Sequence, residues 1–151
     1  MATVGAATLL LTGANVAVSS AAQAQPPYQA NLDGWCDQGE ICLYYNSNIA
    51  GAVFDVNFNV SNYGFPVPGQ PGGAQFVCSK QAHGDGSLCS GAGQTVWNNA
   101  AAVLNESNCD VAIFYNSNYN ASYAYQVIKR GSWANLNSTL KNQNASHKFM
   151  C

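Results

Sequence analysis

Apolar and polar residues alternate in two segments of nearly the same sequence. Residues 41–51 read ICLYYNSNIAG, and residues 111–121, seventy positions later, read VAIFYNSNYNA. Alternation with a period of two predicts a half-buried β-strand. The Asn-Ser-Asn that follows predicts a tight turn, because Asn tolerates positive φ. The repeat therefore predicts one strand-and-turn unit that is used twice, with each copy burying the apolar face of the other.

Further short apolar segments, bounded by Gly and Asn, extend this pattern along the chain. In residues 53–60, Phe54, Val56, Phe58 and Val60 would share one face of a strand. The segment NAAAVLN at 99–105 is helix-like but too short to outweigh the β pattern around it. Many short strands with Gly and Asn turns predict an all-β sandwich or barrel. The other predicted strands cover residues 94–97, 123–128 and 140–149.

A second, fainter repeat locates an insertion. Residues 97–101 (WNNAA) resemble residues 142–146 (NQNAS), and aligning Asn99 with Asn144 gives an offset of 45 instead of 70. The difference of 25 residues must fall between Gly64 and Gly93, and we expect an inserted loop at about 66–93. This region is rich in Pro and Gly, and long loops in compact domains are usually functional or disordered.

Charge is scarce, which narrows the classes of partner. Only 8% of the 151 residues are charged, with five Lys and Arg against seven Asp and Glu. A surface of this kind lacks the basic footprint that neutralises phosphates, so nucleic acid is not expected as a partner.

The first 25 residues have the composition of a secretory leader. No charged residue occurs between Ala2 and Ala24, an Ala- and Leu-rich run is followed by small residues, and Ala22-Gln23-Ala24 fits a cleavage site. A membrane anchor is the alternative, but polar residues interrupt the apolar run. We therefore expect a signal peptide at 1–25, a secreted, extracellular protein with no membrane contact after cleavage, and an extended N-terminal arm at 26–35.

Six cysteines follow the predicted cleavage point, and in an exported chain they indicate disulfide bonds. Proximity favours Cys36 with Cys42 and Cys78 with Cys89, which leaves Cys109 with Cys151. A metal site is not expected from them, because neither His83 nor His147 lies at a ligand spacing from a cysteine pair.

The order of these motifs resembles a known family. A Cys-x5-Cys segment leading into LYYNSN, then GQTVWNNAA, a second YNSN strand and a closing NQNAS segment resemble secreted actinobacterial peptidase inhibitors of the Streptomyces metalloproteinase inhibitor type. The resemblance covers Cys36 to about Phe149 and implies a βγ-crystallin-like sandwich of two Greek-key motifs. Cys36 and Cys42 match the first disulfide of that family. Its reactive bond is thought to lie beside a short disulfide loop at the start of the second Greek key, where this chain has only Cys109.

The segment between Cys78 and Cys89 is the nearest functional counterpart in this chain. A rigid loop closed by a disulfide could occupy a peptidase cleft like a substrate, because preorganisation lowers the entropy lost on binding. The alternative is that the bridge only fastens a long insertion. The candidate partner-binding residues of the loop are Cys78, Ser79, Lys80, Gln81, Ala82, His83 and Cys89.

Calcium and catalysis are not expected. The crystallin-like resemblance implies a calcium motif of paired Asn or Asp followed by Ser or Thr, but the Asn98-Asn99 and Asn144 segments lose or displace the hydroxyl. We expect these Asn residues to form turns between strands instead. Ser79 or Ser87 could form a catalytic triad with His83 and Asp85, but a loop lacks the strand and helix ends that orient a nucleophile. No two carboxylates have the paired spacing that a glycosidase needs. We expect a protein without a cofactor that is not an enzyme.

Two further functions fit the sequence. The arm, with candidate residues Pro27, Tyr28, Leu32 and Trp35, could dock an adaptor subunit onto a larger secreted protein such as an antibacterial toxin assembly. A killer-toxin-like antimicrobial protein is the third interpretation. For an inhibitor or an adaptor, the expected partner is another secreted protein, either a protease or a large assembly subunit. The many Tyr and Trp residues suit such an interface.

Overall fold

The computed structural model describes residues 32–80 and 89–151. Those residues form eight β-strands, and no helix among them is long and apolar enough to cross a membrane. The strands are β1 (Ile41–Asn46), β2 (Ala50–Val56), β3 (Val77–Cys78), β4 (Ala102–Asn105), β5 (Asp110–Phe114), β6 (Tyr125–Ile128), β7 (Ser132–Asn135) and β8 (Ser146–Met150). The predicted signal peptide lies outside the described residues.

The strands form two antiparallel sheets. One has five strands in the order β3-β2-β1-β4-β7, and the other has three in the order β6-β5-β8. The segment after β2 extends the smaller sheet, because Val60 and His147 exchange both backbone hydrogen bonds, at 3.2 and 3.0 Å. The first half of the chain thus adds a strand-like segment to the second sheet, and β7 from the second half joins the first. This exchange makes the two halves one folding unit, and the all-β prediction of two Greek-key motifs is confirmed.

The two repeated segments fold alike. They form β1 and β5, and each is followed by a turn with two successive residues of positive φ, Asn48 (61°) and Ile49 (56°) in one copy, Asn118 (58°) and Tyr119 (58°) in the other. Asn tolerates positive φ better than most residues, so the Asn-Ser-Asn sequence suits this backbone conformation in both copies. The sequence repeat therefore encodes a repeated turn geometry.

The fainter repeat has a different register from the one expected. Tyr44 pairs with Ala102, and its counterpart Phe114 pairs with Ser146, so the offset between the last strands is 146 − 102 = 44 residues. Asn98 and Asn142, which both have positive φ, obey the same offset. The alignment of Asn99 with Asn144 is therefore wrong by one position. It matched similar side chains, whereas backbone pairing between the strands determines which residues are equivalent.

Four predicted strands have other bounds in the structure, and the one expected at 123–128 begins at Tyr125. The strand expected at 53–60 ends at Val56, and the chain leaves the five-stranded sheet to reach Val60 in the other. Residues 94–97 contribute only an isolated bridge between Thr95 and Gln75, and the strand expected at 140–149 begins at Ser146. Strands β3, β4 and β7 were not expected. Strand β3 lies in the predicted inserted loop, and β4 lies in the segment 99–105 that was considered for a helix. The residues of β7 alternate between partly buried and exposed and carry little apolar signal.

The core lies between the sheets and is built from alternate strand residues. Ile41 and Leu43 of β1 and Val111 and Ile113 of β5 are fully buried there. His147 of β8 is also fully buried and joins the two halves of the chain. Its Nε2 donates to the Phe58 carbonyl over 2.8 Å, which leaves Nδ1 to accept the hydroxyl of Tyr63 over 2.9 Å. Burial lowers the pKa of His147 to about 4, so the ring is neutral.

Candidate functional site

The base of the Cys78–Cys89 loop is fastened to the edge of the five-stranded sheet. Strand β3 pairs with β2 through Cys78 opposite Ala52 and Val77 opposite Val53. On the returning side, the amide of Ala52 donates to the Ser90 carbonyl over 2.9 Å. The disulfide joins the two sides, with the Cα atoms 5.5 Å apart. Both ends of the loop are therefore held by the same short stretch of β2.

The core side of the loop is also anchored. Cys89 packs against the main core, and the amide of Gly93 donates to the Phe76 carbonyl over 2.8 Å. Ser79 is fully buried, and Lys80 is partly buried. Of the other candidate loop residues, Gln81, Ala82 and His83 lie outside the described residues. The described residues at the two ends of the loop are thus fastened by strand pairing, backbone hydrogen bonds and the disulfide.

The end of the N-terminal arm lies against the start of this loop. The amide of Lys80 donates to the Gly34 carbonyl over 2.9 Å. Gly34 has φ of +88°, and a Cβ there would collide with the Cys78 carbonyl oxygen, so a side chain is not accommodated. Leu32 packs against the core, whereas Trp35 is 43% exposed. Sequence reasoning treated the loop and the arm as separate candidate sites, and the structure brings their described parts together.

Pro27 and Tyr28, the remaining candidate arm residues, lie outside the described residues. The use of any loop or arm residue in partner binding stays a prediction.

A buried acidic pair lies beneath the arm, and sequence reasoning missed it. The Asp33 amide donates to Oδ2 of Asp55 over 3.1 Å, and the Asp37 amide donates to Oε2 of Glu40 over 2.8 Å. Asp55 is fully buried and Glu40 is 2% exposed. Burial, followed by the nearby charge of Glu40, raises the pKa of Asp55 to about 8. The available signal was an Asp inside an otherwise apolar strand, although its neighbour Glu40 follows only from the strand register.

The other two disulfides secure the ends of the fold. Cys36 and Cys42, with Cα atoms 5.9 Å apart, tie the arm to β1. Cys109 and Cys151, 4.7 Å apart, tie the start of β5 to the residue after β8. Sequence proximity predicted Cys36 with Cys42 and Cys78 with Cys89, and Cys109 with Cys151 is the pair that was left by elimination.

The Asn residues considered for calcium serve the backbone instead. The buried Asn144 side chain accepts from the Ala100 amide and donates to the Val96 carbonyl, both over 2.9 Å. The side-chain Nδ2 of Asn99 donates to the carbonyls of Thr95 and Trp97. Among residues 32–80 and 89–151, no three His, Cys, Asp or Glu side chains are grouped as metal ligands. The expectation that the protein needs no cofactor stays a prediction.

Comparisons with known proteins give a family and a fold likeness. The family model of peptidase inhibitor family I36 matches residues 29–126, from the arm through β5 and into β6. A solved structure described as "Evolution of the eye lens beta-gamma-crystallin domain fold" is similar to this chain, with a TM-score of 0.49 and 17% sequence identity, over 78% of this chain and 90% of that one. No curated protein matches. The chain, with its disulfide-bounded loop and two Greek-key motifs, belongs to peptidase inhibitor family I36.

Proposed function

We propose that this protein is a secreted peptidase inhibitor whose Cys78–Cys89 loop occupies the cleft of an extracellular peptidase. Membership of the inhibitor family supports inhibition, and three disulfides suit an oxidising, extracellular setting. The single observation that supports the use of this loop is its base, which β2 holds from both sides. No catalytic step is assigned to the protein itself.

Preorganisation of the loop ends supports inhibition by this loop. A loop whose two ends are fastened to a sheet loses little conformational entropy when it enters a cleft, so more of the contact free energy contributes to affinity. The same restraint keeps the two sides of a cleaved bond together, because the disulfide and the hydrogen bonds of Ala52 and Lys80 survive cleavage between residues 80 and 89. Slow release and religation would then keep the peptidase blocked.

The test measures inhibition constants of the purified protein against a panel of secreted metallo- and serine peptidases. We expect inhibition of at least one member, and a loss of about tenfold or more, ~1.4 kcal/mol, in Lys80→Ala and in the double variant Cys78→Ser with Cys89→Ser. Lys148→Ala is the matched control, because this exposed lysine lies on β8 in the other sheet. We expect it to inhibit like the wild type.

Two results would count against the proposal in different ways. Inhibition by wild type that both loop variants retain would reject the loop and keep the inhibitor. Absence of inhibition across the panel would reject the inhibitor. The adaptor and antimicrobial interpretations stay predictions, because nothing in the described residues favours either one.

A further inference from the structure

The outer face of the three-stranded sheet carries a continuous row of aromatic, small and basic side chains. Val111 and Ile113 of β5 enter the core, so the alternate residues of that strand lie on the opposite face. Their neighbours across β6 and β8 share that face through the strand register. We call this surface the outer strip, and it consists of Asp110, Ala112, Phe114, Tyr125, Val127, Lys148 and Met150 with the adjoining Tyr119, Lys129 and Arg130.

One end of the outer strip is an aromatic platform. Tyr125 stacks on Phe114 with the ring centroids 5.8 Å apart and the planes at 29°, and Tyr119 meets Phe114 edge-on at 6.2 Å. Phe114 is almost fully buried beneath them, while Tyr125 is 53% exposed. One face of the Tyr125 ring is thus supported by protein, and the other is available to solvent. Because Phe114 and Tyr125 lie opposite each other on paired strands, this stacked pair is formed before any ligand arrives.

The middle of the outer strip carries a small residue and a lysine. Ala112 lies between the platform and the far end of β5, and its side chain is only a methyl group, 1% exposed. The longer Lys148, directly opposite Ala112 on β8, stands beside this position and holds its Nζ 5.7 Å from the centre of the Tyr119 ring. The cation of Lys148 therefore lies between the aromatic platform and the far end of the outer strip.

The other end is an open cleft that is lined by charged residues of both signs. Its volume is about 680 Å³, and its lining includes Asp110, Lys129, Arg130 and Met150. Asp110 is held by Lys129 Nζ at 2.7 Å and by the backbone amide of Arg130 at 3.1 Å, so its charge is already paired. The outer strip carries three of the five basic residues of a chain whose net charge is −2. Charge on this face is positive although the protein as a whole is acidic.

We propose that the outer strip binds an acidic oligosaccharide. A sugar ring presents C–H groups that stack on an exposed aromatic face, and Tyr125 offers such a face on a rigid support. Carboxylates on the neighbouring sugar units would meet Lys148 and Arg130, since charge complementarity selects an anionic ligand. The flat, exposed face of Tyr125 suits a sugar ring, whereas a peptide is usually anchored by a side chain in a deep, fully desolvated pocket.

This site is independent of the inhibitory loop and goes beyond the proposed function. The loop base and the arm lie against β2 and β3 of the five-stranded sheet, and the outer strip belongs to the other sheet. Binding of a sugar chain would hold a secreted inhibitor near an acidic polysaccharide without using its loop.

The experiment titrates the ¹⁵N-labelled protein with trigalacturonate and follows amide chemical shifts. Maltotriose is the neutral probe, and hexaglutamate is the acidic peptide probe. We expect trigalacturonate to shift amides of the outer strip, and Tyr125→Ala and Lys148→Ala each to weaken binding by about tenfold. Tyr125→Phe keeps the stacking face and should bind like the wild type. Lys80→Ala, at the inhibitory loop, is the control for a general loss of charge.

Each alternative outcome overturns a defined part of the proposal. Equal binding of maltotriose would overturn the requirement for an acid. Equal binding of hexaglutamate at the same amides would overturn the sugar and point to an acidic protein segment. No shift of outer-strip amides with trigalacturonate, in wild type that retains a folded spectrum, would reject the site.

Discussion

Acidification should destabilise the protein through His147, the buried ring that joins its two halves. In the folded state both ring nitrogens are engaged, one with the Phe58 carbonyl and the other with the Tyr63 hydroxyl. A second proton on Nδ1 would oppose the donor of Tyr63 and would place a charge in the core. Burial therefore lowers the pKa of His147 from 6.5 to about 4, although the bond to Phe58 acts in the opposite direction.

The sign and size of the effect follow from these two values. Between about pH 4 and pH 6.5 the unfolded chain binds a proton at His147 and the folded protein does not, so the free energy of unfolding falls as the pH falls. The contribution of the neutral His147 ring to the free energy of unfolding is fully present above pH 6.5 and is lost by about pH 4. A difference of about 2.5 pH units corresponds to about 3 kcal/mol, which is a large part of the stability of a typical domain.

The assay is urea unfolding between about pH 4 and pH 7 for wild type and for His147→Gln, which retains a donor and an acceptor but does not titrate. We expect the stability difference between the two proteins to change by about 3 kcal/mol across this range. Tyr63→Phe, which keeps the histidine, should follow the slope of the wild type. Parallel curves for wild type and His147→Gln, within about 0.5 kcal/mol, would refute the reasoning.

Three other variants test two further buried polar groups and one disulfide. The pKa of Asp55 is about 8 in the folded protein and 3.8 in the unfolded chain, so the folded protein binds the extra proton between these values. The free energy of unfolding of the wild type therefore falls as the pH rises, by about 4 kcal/mol between pH 4 and 7, which is opposite in sign to the effect of His147. Asp55→Asn should remove this dependence. A pH-independent difference between Asp55→Asn and wild type in urea unfolding would contradict this. Asn144→Ala should cost about 2–4 kcal/mol by chemical denaturation, because the Ala100 amide and the Val96 carbonyl lose their partner; a cost below about 1 kcal/mol would show that water replaces the side chain. Cys109→Ser with Cys151→Ser should lower the free energy of unfolding by up to about 4 kcal/mol in the chain-entropy model, and an unchanged melting temperature would contradict that estimate.

Local patterns were sufficient for the parts of the fold in which the signal lies within a few residues. Alternation predicted β1 and β5, and the Asn-rich repeats predicted turns with positive φ. Cysteines close in sequence predicted the disulfides of Cys36 with Cys42 and Cys78 with Cys89. These features depend on the preferences of single residues and on short loop closure, which a sequence displays directly.

Other features required knowledge of distant neighbours. The chain leaves the first sheet after Val56 and returns as a bridge from Val60 to His147, eighty-seven positions later, and no local pattern specifies that partner. The residues near Asn144 were aligned one position away from their structural counterparts for the same reason, since backbone pairing sets the register.

The sequence by itself determined the class of fold, the repeated strand and turn, the disulfide pairs and the family resemblance. Tertiary structure alone decided that the arm meets the Cys78–Cys89 loop through Gly34 and Lys80, that Asp55 is buried beside Glu40, and that one sheet face collects aromatic and basic side chains. The physical reason is that turns and periodicity are properties of neighbouring residues. Burial, pKa and surface charge are properties of whatever the folded chain brings within a few ångströms.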